Sequence, residues 1–272
     1  MPAERFPLGI FSWFGLPMPG PARVAAIRRA GFSATSVWWD AEKYGARLYE
    51  YPALIRAEGL FLENAHVPFH LANHLWSSDA VVRQAAVEQH LRWIEDLARF
   101  AIPMLVMHIT TGENPPAITP EGMDGLLRIV AAAEAAGITL AIENTRRWDY
   151  LERVFAEIPS PALGLCYDSS HDWLYRHDQP LPPAVITRLV ATHFSDNAGY
   201  LDNHWLPFQG CIPWETLLPQ LPWASYTGWL FLEVVPTAGK REQDPVAFLG
   251  QAYQAAVRLR EMILRISAGA EA

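Results

Sequence analysis

Short, continuously apolar segments alternate with longer segments of helical period along the whole chain. The short segments are rich in aliphatic, β-branched and aromatic residues, and there are eight: 8–14, 34–39, 61–67, 104–109, 139–144, 163–168, 189–194 and 229–235. Between them, apolar residues recur every three or four positions, for example at 21–30, 80–100, 120–136 and 245–265. This alternation predicts βαβ units that share a parallel sheet.

The number of predicted strands distinguishes two parallel architectures. Eight strand-helix units in 272 residues fit a closed (β/α)8 TIM barrel, typically about 250 residues long, better than an open doubly wound sheet. An open sheet that binds a dinucleotide would place G-x-G-x-x-G after its first strand, whereas residues 14–20 read FGLPMPG. Gly31 and Gly137 follow two helical segments, where a left-handed residue ends a helix. We therefore predict a single α/β domain over residues 1–272 with the TIM-barrel fold.

Charge, hydropathy and cysteine content argue against nucleic-acid-binding, membrane-spanning and thiolate-zinc proteins. The chain has 21 Lys and Arg against 29 Asp and Glu, a formal net charge of −8, and no basic run that could follow a phosphate backbone, so nucleic acid is not an expected partner. It also lacks a signal-like N-terminus and any apolar run of the roughly 18 residues that cross a bilayer, so we expect a cytoplasmic protein without membrane contact. Cys166 and Cys211 are too few for a thiolate zinc site and are interpreted as buried apolar residues.

Polar residues able to bind a metal fall at the carboxyl ends of the predicted strands and in one loop. In order along the chain they are His66, His108, Glu143, Asp168, His171, His193, Asp202, His204 and Glu233. In a TIM barrel the chemistry is built at this end, so residues far apart in sequence meet in one axial pocket. Burying such groups singly in apolar strands is costly, whereas a divalent cation lets carboxylates and imidazoles satisfy one another. The pattern therefore predicts a metal site.

Other candidate residues are assigned by their position. The remaining histidines are interpreted as ordinary structural or surface residues: His70, His74, His90 and His177. Trp13, Trp38 and Trp205 stand at strand ends or in the loop that carries Asp202. A pocket with aromatic walls suits a small-molecule substrate, and we predict that these three tryptophans contact it.

Five segments resemble the xylose isomerase-like TIM-barrel superfamily, which includes sugar isomerases and epimerases and the endonuclease IV family. They read AIENT, GLCYDSSH, THFSDN, LDNHWLPFQG and FLEVV. In the epimerase branch one divalent cation is held by a set that the resemblance places at Glu143, Asp168, His193 and Glu233. In the endonuclease IV branch nine ligands hold three zinc ions, and the nine residues named above match them in order and type.

The two branches imply different chemistry. In a single-metal isomerase the cation chelates neighbouring oxygens of a ketose, and two carboxylates, here Glu143 and Glu233, exchange a proton at carbon. In a cluster enzyme the metals activate a hydroxide that attacks a phosphoryl group, and Glu143 bridges metals. The acidic charge and aromatic loops favour the first, a sugar or sugar phosphate isomerase or epimerase that acts on a small polyhydroxylated carbonyl compound.

Two alternatives stay open: a zinc-cluster phosphoesterase, and a metal-dependent sugar-binding protein without turnover. The predicted catalytic residues are Glu143, Glu233 and His171. The expected cofactor is one to three ions of zinc, manganese or magnesium, and the expected partner is a sugar-like small molecule. The sequence is compatible with a homo-oligomer and does not specify the substrate.

Overall fold

Eight parallel strands form the central barrel in the computed structural model, which describes residues 5–240 and 242–270. The strands are β1 (Leu8–Phe11), β2 (Ala34–Trp38), β3 (Phe61–His66), β4 (Met104–Met107), β5 (Thr139–Glu143), β6 (Leu163–Asp168), β7 (Leu189–His193) and β8 (Leu230–Leu232). Hydrogen-bonded neighbours follow the order β7-β6-β5-β4-β3-β2-β1-β8. The predicted (β/α)8 TIM-barrel fold is confirmed.

The barrel closes between β7 and β8 through one backbone bridge and one side chain. Phe194, just after β7, bridges Leu232 in parallel, and its N–H donates to the carbonyl of Phe231 at 2.8 Å. The Thr192 hydroxyl accepts from the N–H of Phe231 at 3.0 Å and donates to the carbonyl of Trp229 at 3.1 Å. Because β8 is only three residues long, the Thr192 side chain supplies hydrogen bonds that the backbone of a longer pairing between β7 and β8 would make.

Helices surround the strands. In the described part of the chain they are α1 (Gly20–Ala30), α2 (Ala41–Tyr44), α3 (Tyr51–Ala57), α4 (Ala80–Arg99), α5 (Pro120–Ala135), α6 (Trp148–Glu157), α7 (Ser169–Arg176), α8 (Pro183–Ile186), α9 (Trp214–Leu217) and α10 (Pro245–Ala270), with 3-10 turns at Gly45–Glu50, Phe69–Trp76, Leu218–Gln220 and Ala238–Lys240. The four helical segments given as examples match α1, α4, α5 and α10. Their apolar stripes face the strands, as with the fully buried Leu126, Ile129 and Ala133 of α5. Over the described residues, no helix combines the length and apolarity needed to span a bilayer.

Seven of the eight predicted strands run past the observed ones at the carboxyl end, and the sixth matches β6. The first was predicted to reach Phe14 and the last Val235, whereas β1 ends at Phe11 and β8 at Leu232. The loops that follow pack over the barrel, so Phe14 and Val234 are as buried as strand residues. Apolar character therefore does not mark the point at which the ladder ends.

Small side chains fill part of the barrel interior. Val106, Ala141, Cys166 and Ala191, from β4 to β7, pack together. Side chains alternate across a strand, so the residue two positions further points to the same face. Those residues are His108, Glu143, Asp168 and His193. The strand period thus places four predicted ligands in one layer above this small-residue floor.

The two cysteines occupy different environments. Both are free thiols, and Cys166 is buried as predicted. Cys211 is exposed, so its predicted burial is wrong. It lies in the long connection between β7 and α9, where its sulfur accepts a hydrogen bond from the indole of Trp173 at 3.1 Å.

Two glycines give a matched test of packing at helix ends. Gly31 and Gly137 follow α1 and α5 with φ of 112° and 67°. A Cβ on Gly31 would lie 2.6 Å from the ring of Tyr253, whereas one on Gly137 would meet nothing within 4 Å. Gly31→Ala is expected to lower the free energy of unfolding by roughly 1–3 kcal/mol more than Gly137→Ala, because overpacking adds to the backbone strain that both share. Urea unfolding measures the difference, and equal losses would contradict it.

Candidate metal centre

All nine predicted ligands lie at the carboxyl end of the barrel. His66, Glu143, Asp168 and His193 end β3, β5, β6 and β7, and His108 and Glu233 directly follow β4 and β8. His171 is in the first turn of α7. Asp202 and His204 lie on the loop after β7, whose base is closed by an antiparallel bridge between Asp196 and Trp205.

The donor atoms of these residues form three groups, within each of which the atoms lie within 4.8 Å of one another. The groups are His66, His108 and Glu143; Glu143, Asp168, His193 and Glu233; and His171, Asp202 and His204. A further set of donor atoms, which overlaps the second group, comes from Glu143, His193 and the sulfur of Cys166. The fold therefore brings together every residue predicted to bind metal.

Glu143 joins the first two groups. Its Oε2 lies 2.9 Å from His66 Nε2 and 3.2 Å from His108 Nε2. Its Oε1 lies 3.4 Å from both His171 Nδ1 and His193 Nδ1. Because each oxygen faces a different pair of imidazoles, Glu143 would supply one oxygen to each of two cations if both groups held metal.

Some side-chain atoms of the second group, from Asp168, His193 and Glu233, lack hydrogen bonds within the described structure. His193 Nδ1 and Glu233 Oε2 approach to 2.7 Å without hydrogen-bond alignment, and Asp168 Oδ2 has no partner. Buried polar atoms in proteins are nearly always satisfied. Imidazole nitrogen and carboxylate oxygen are also ligands that zinc and manganese accept. The residues present therefore fit a divalent cation.

The spacing of Asp168 and His171 follows from helix capping. Asp168 is the N-cap of α7, and its Oδ1 accepts the N–H of His171 at 2.7 Å. The capping interaction uses one carboxylate oxygen and leaves Oδ2 without a hydrogen-bond partner. Asn144 fixes the backbone here, since its side chain accepts from the N–H of Asp168 at 2.7 Å and donates to the carbonyl of the same residue at 2.9 Å.

Asp202 holds the third group together. Its Oδ2 lies 3.0 Å from both His171 Nε2 and His204 Nε2. The Ser170 hydroxyl donates to Asp202 Oδ1 at 2.9 Å, and His171 Nδ1 lies 2.9 Å from the carbonyl of Asn144. Such contacts orient ligands and fix the histidine tautomer. Sequence reasoning missed Ser170 and Asn144, although each stands next to a predicted ligand.

Charges in the centre are strongly coupled. Burial alone raises the pKa of Glu143, but His193 and His108 lower it well below its usual range. Burial lowers the pKa of His193, but Cys166 and the nearby carboxylates raise it well above its usual range. Burial raises the pKa of Asp168 to about 6. Since a metal binds neutral imidazole and ionised carboxylate, a bound cation would replace protons that the imidazoles otherwise hold.

A cavity of about 450 Å³ opens over these residues. Part of its wall is aromatic, because Trp38 stacks on His66 at a centroid distance of 4.9 Å and Phe69 stacks on His108 at 5.2 Å. Trp38 was predicted to contact a substrate and does line the cavity. The described lining does not include Trp13, which lies on a separate cavity, or Trp205.

A cation also lines this cavity. The guanidinium of Arg146 lies 4.7 Å from the ring centroid of Tyr175 and pairs with Glu113 at 3.3 Å. Sequence reasoning missed all three residues. Arg146 follows the AIENT segment directly, but nothing in the sequence distinguishes it from Arg147, which pairs with Asp149 instead.

The four histidines predicted to be structural stay outside the three groups of described donor atoms: His70, His74, His90 and His177. His90 is buried in α4 with Nδ1 2.7 Å from the carbonyl of Ala86. Burial lowers its pKa to about 4, so it is a neutral core residue at physiological pH.

The chain is similar in sequence to a curated bacterial protein. The uncharacterized protein y4fM of Sinorhizobium fredii (strain NBRC 101917 / NGR234) is 28% identical over 210 residues, which are 71% of this chain and 64% of that protein. The chain thus matches less than two thirds of that relative's length.

Solved structures share the fold at low identity. D-psicose 3-epimerase from Clostridium cellulolyticum H10, solved with D-tagatose, superposes with a TM-score of 0.74 at 15% identity over 94% of this chain and 99% of its own. The 3-keto-D-glucoside 4-epimerase YcjR from E. coli gives 0.71 at 18% identity over 94% of this chain and 100% of its own. The family model for the xylose isomerase-like TIM barrel matches residues 24–252, and the chain belongs to that family.

Proposed function

We propose that the protein is a divalent-metal-dependent sugar isomerase or epimerase that acts on a small polyhydroxylated carbonyl compound. The observation that carries this proposal is the convergence of a buried carboxylate, Glu143, and a partly buried one, Glu233, beneath an open cavity. His193 Nδ1 lies 3.4 Å from Glu143 Oε1 and 2.7 Å from Glu233 Oε2. The named activities of the solved neighbours, a D-psicose 3-epimerase and a 3-keto-D-glucoside 4-epimerase, support the same class of reaction.

Proton transfer is the proposed task of the two glutamates. A cation held by Glu143, Asp168, His193 and Glu233 would polarise adjacent substrate oxygens and acidify the intervening C–H bond. Glu143 ends β5 and Glu233 follows β8, strands that are not neighbours in the barrel, so the carboxylates approach from different directions. One is proposed to accept the proton at carbon and the other to return it.

His171 is the third residue proposed to take part in catalysis. Its Nδ1 lies 3.4 Å from Glu143 Oε1 and its Nε2 lies 3.0 Å from Asp202 Oδ2. Burial lowers the pKa of His171, but Asp168 and Asp202 raise it well above its usual range. The proposed role of His171 is to position the Glu143 carboxylate, which it links to Asp202.

A panel of ketoses, keto-sugars and their phosphates tests this function. Protein purified without chelator is expected to convert at least one of them, to lose activity on metal removal and to regain it when metal is returned. In D2O the product is expected to carry deuterium at the reacting carbon. Binding of a sugar without turnover would instead indicate a metal-dependent binding protein.

The three donor groups favour a second candidate function, a zinc-cluster phosphoesterase. A single cation needs only the second group. The first group, with His66 and His108, and the third group, with His171, Asp202 and His204, offer ligands for two more. Metals held together in this way can activate a hydroxide and neutralise a phosphoryl group. Elemental analysis distinguishes the candidates, since about one ion per chain supports the isomerase and about three support the cluster.

We predict that the protein does not incise abasic duplex DNA, even with three zinc ions bound. A duplex-binding enzyme gains most non-specific affinity from phosphate contacts with Lys and Arg, whereas this chain has a net charge of −8. No salt-dependent binding is expected at micromolar protein in an electrophoretic shift assay, with a known abasic-site endonuclease as control. Efficient incision would overturn the isomerase proposal and support the phosphoesterase.

A further inference from the structure

A second cavity, of about 730 Å³, lies between the start of α1 and the segment that contains α2 and α3. None of its described lining residues lines the cavity over the metal centre. Three cations, Arg23, Lys43 and Arg47, line it against one acid, Glu50. In a chain of net charge −8 this is a local excess of positive charge.

Arg23 is a buried cation that lacks a carboxylate partner among the described residues. It is 6% exposed, and no described carboxylate lies within 4.0 Å of its guanidinium. Its Nη2 donates to the carbonyl of Met18 at 2.9 Å, while its buried Nε has no hydrogen-bond partner. A buried charge is costly unless it is paired and hydrogen-bonded. A negatively charged ligand group would relieve that cost.

The charged part of the cavity lies next to an aromatic surface. The Arg23 guanidinium lies 4.8 Å from the ring centroid of Trp13, and Lys43 Nζ lies 5.7 Å from the same ring. Lys43 Nζ is also 5.4 Å from the ring of Tyr44. The Trp13 ring is partly exposed, at 38%. A ligand whose anionic group reached both cations would therefore lay its body against aromatic rings.

The amino end of α1 adds to the positive potential. Gly20 and Pro21, its first two residues, line the cavity. The N-cap Pro19 provides no side-chain hydrogen bond, and the first turn contains no acidic residue. Pro21 has no N–H and the N–H of Arg23 donates to the carbonyl of Pro19, so the N–H groups of Gly20 and Ala22, together with the helix dipole, favour an anion at this position.

We propose that this cavity is a second binding site, which takes a small organic anion with an aromatic or apolar body. The anionic group is held by Arg23, Lys43 and the amino end of α1, and the body packs on Trp13 and Tyr44. The site does not depend on the metal centre, so its occupancy and the proposed isomerase activity can be tested separately.

The probe is 8-anilinonaphthalene-1-sulfonate, an aromatic anion whose fluorescence rises on binding and whose sulfonate is a poor metal ligand. The neutral N-phenyl-1-naphthylamine has the same aromatic body without the charge. Lys43→Met and Arg23→Met are compared with Arg99→Met, which removes an exposed cation that lies over Phe100 away from the cavity. Each charge removed from the cavity is expected to weaken binding of the anionic probe about tenfold, as for loss of one charge-assisted hydrogen bond.

The Arg99→Met variant should bind the anionic probe like the wild type, and the neutral probe should not distinguish the variants. Phenyl phosphate and benzoate are expected to compete with the anionic probe, and the stronger competitor identifies the preferred anionic group. Equal affinity of wild type and Lys43→Met, or failure of both competitors, overturns the proposal. Lys43 is exposed, so its variant decides the question even if circular dichroism shows that Arg23→Met does not fold.

Discussion

The Asp168→Ala variant is expected to lose most of the divalent metal that the wild-type protein retains on purification. Asp168 is fully buried and belongs to the donor group with Glu143, His193 and Glu233, and its Oδ2 has no hydrogen-bond partner. Loss of an outer contact to a ligand already costs roughly 10–100-fold in metal affinity, so loss of the ligand itself is expected to cost about 100-fold or more. Elemental analysis after dialysis measures the metal that remains.

Asp172→Asn is the matched control for this experiment. Asp172 is a buried acid in the same helix region, but it accepts from the Tyr167 hydroxyl at 2.7 Å and belongs to none of the donor groups. Its variant should keep the wild-type metal content. Full metal occupancy in Asp168→Ala would remove the basis of the metal-centre proposal.

Replacing either proposed proton-transfer group with its amide is expected to lower kcat by about 100-fold or more. Glutamine keeps an oxygen at the same position and removes the base. Glu233→Gln is expected to retain metal, because the amide, unlike the alanine in Asp168→Ala, keeps an oxygen donor in the group. Glu143→Gln is expected to lose metal as well, because Glu143 belongs to two of the groups. Steady-state kinetics on the best substrate of the sugar panel, with metal content measured on the same samples, tests both.

Glu113→Gln controls for the loss of a carboxylate from the same cavity. Glu113 lines the cavity, is largely exposed and belongs to none of the donor groups. Its kcat should stay near that of the wild type. Wild-type kcat in Glu233→Gln, or product formed in D2O with neither solvent deuterium nor internal proton transfer, would contradict the proton-transfer mechanism.

Much of the metal centre could be predicted from strand periodicity. An acid or histidine at the end of an apolar run, such as Glu143 after residues 139–142, must be buried if the run is a barrel strand. Carboxyl ends of parallel strands meet, so residues from six strands were expected to converge, and the structure brings them together. Whether they bind metal remains a prediction.

Contacts between loops could not be predicted in this way. Trp13, Trp38 and Trp205 look alike in the sequence, each beside a strand end or a candidate ligand. Only the packing of the loops places Trp38 on His66 and Trp13 against Arg23 over a different cavity. Cys211 was mispredicted for the same reason, because its exposure depends on how the long loop after β7 lies on the surface.

The eight-unit alternation could be recognised from the chain alone, and it predicts both the barrel and the end at which the polar residues gather, because hydrophobic period and helix-ending glycines are local properties of the chain. Three features became evident only in the folded protein: the nine donors divide into three groups, Glu143 belongs to two of them, and Arg23 is buried without a described acid beside it. These features depend on distances between side chains of different strands and loops. Such distances are set by barrel closure and packing, which no local pattern encodes.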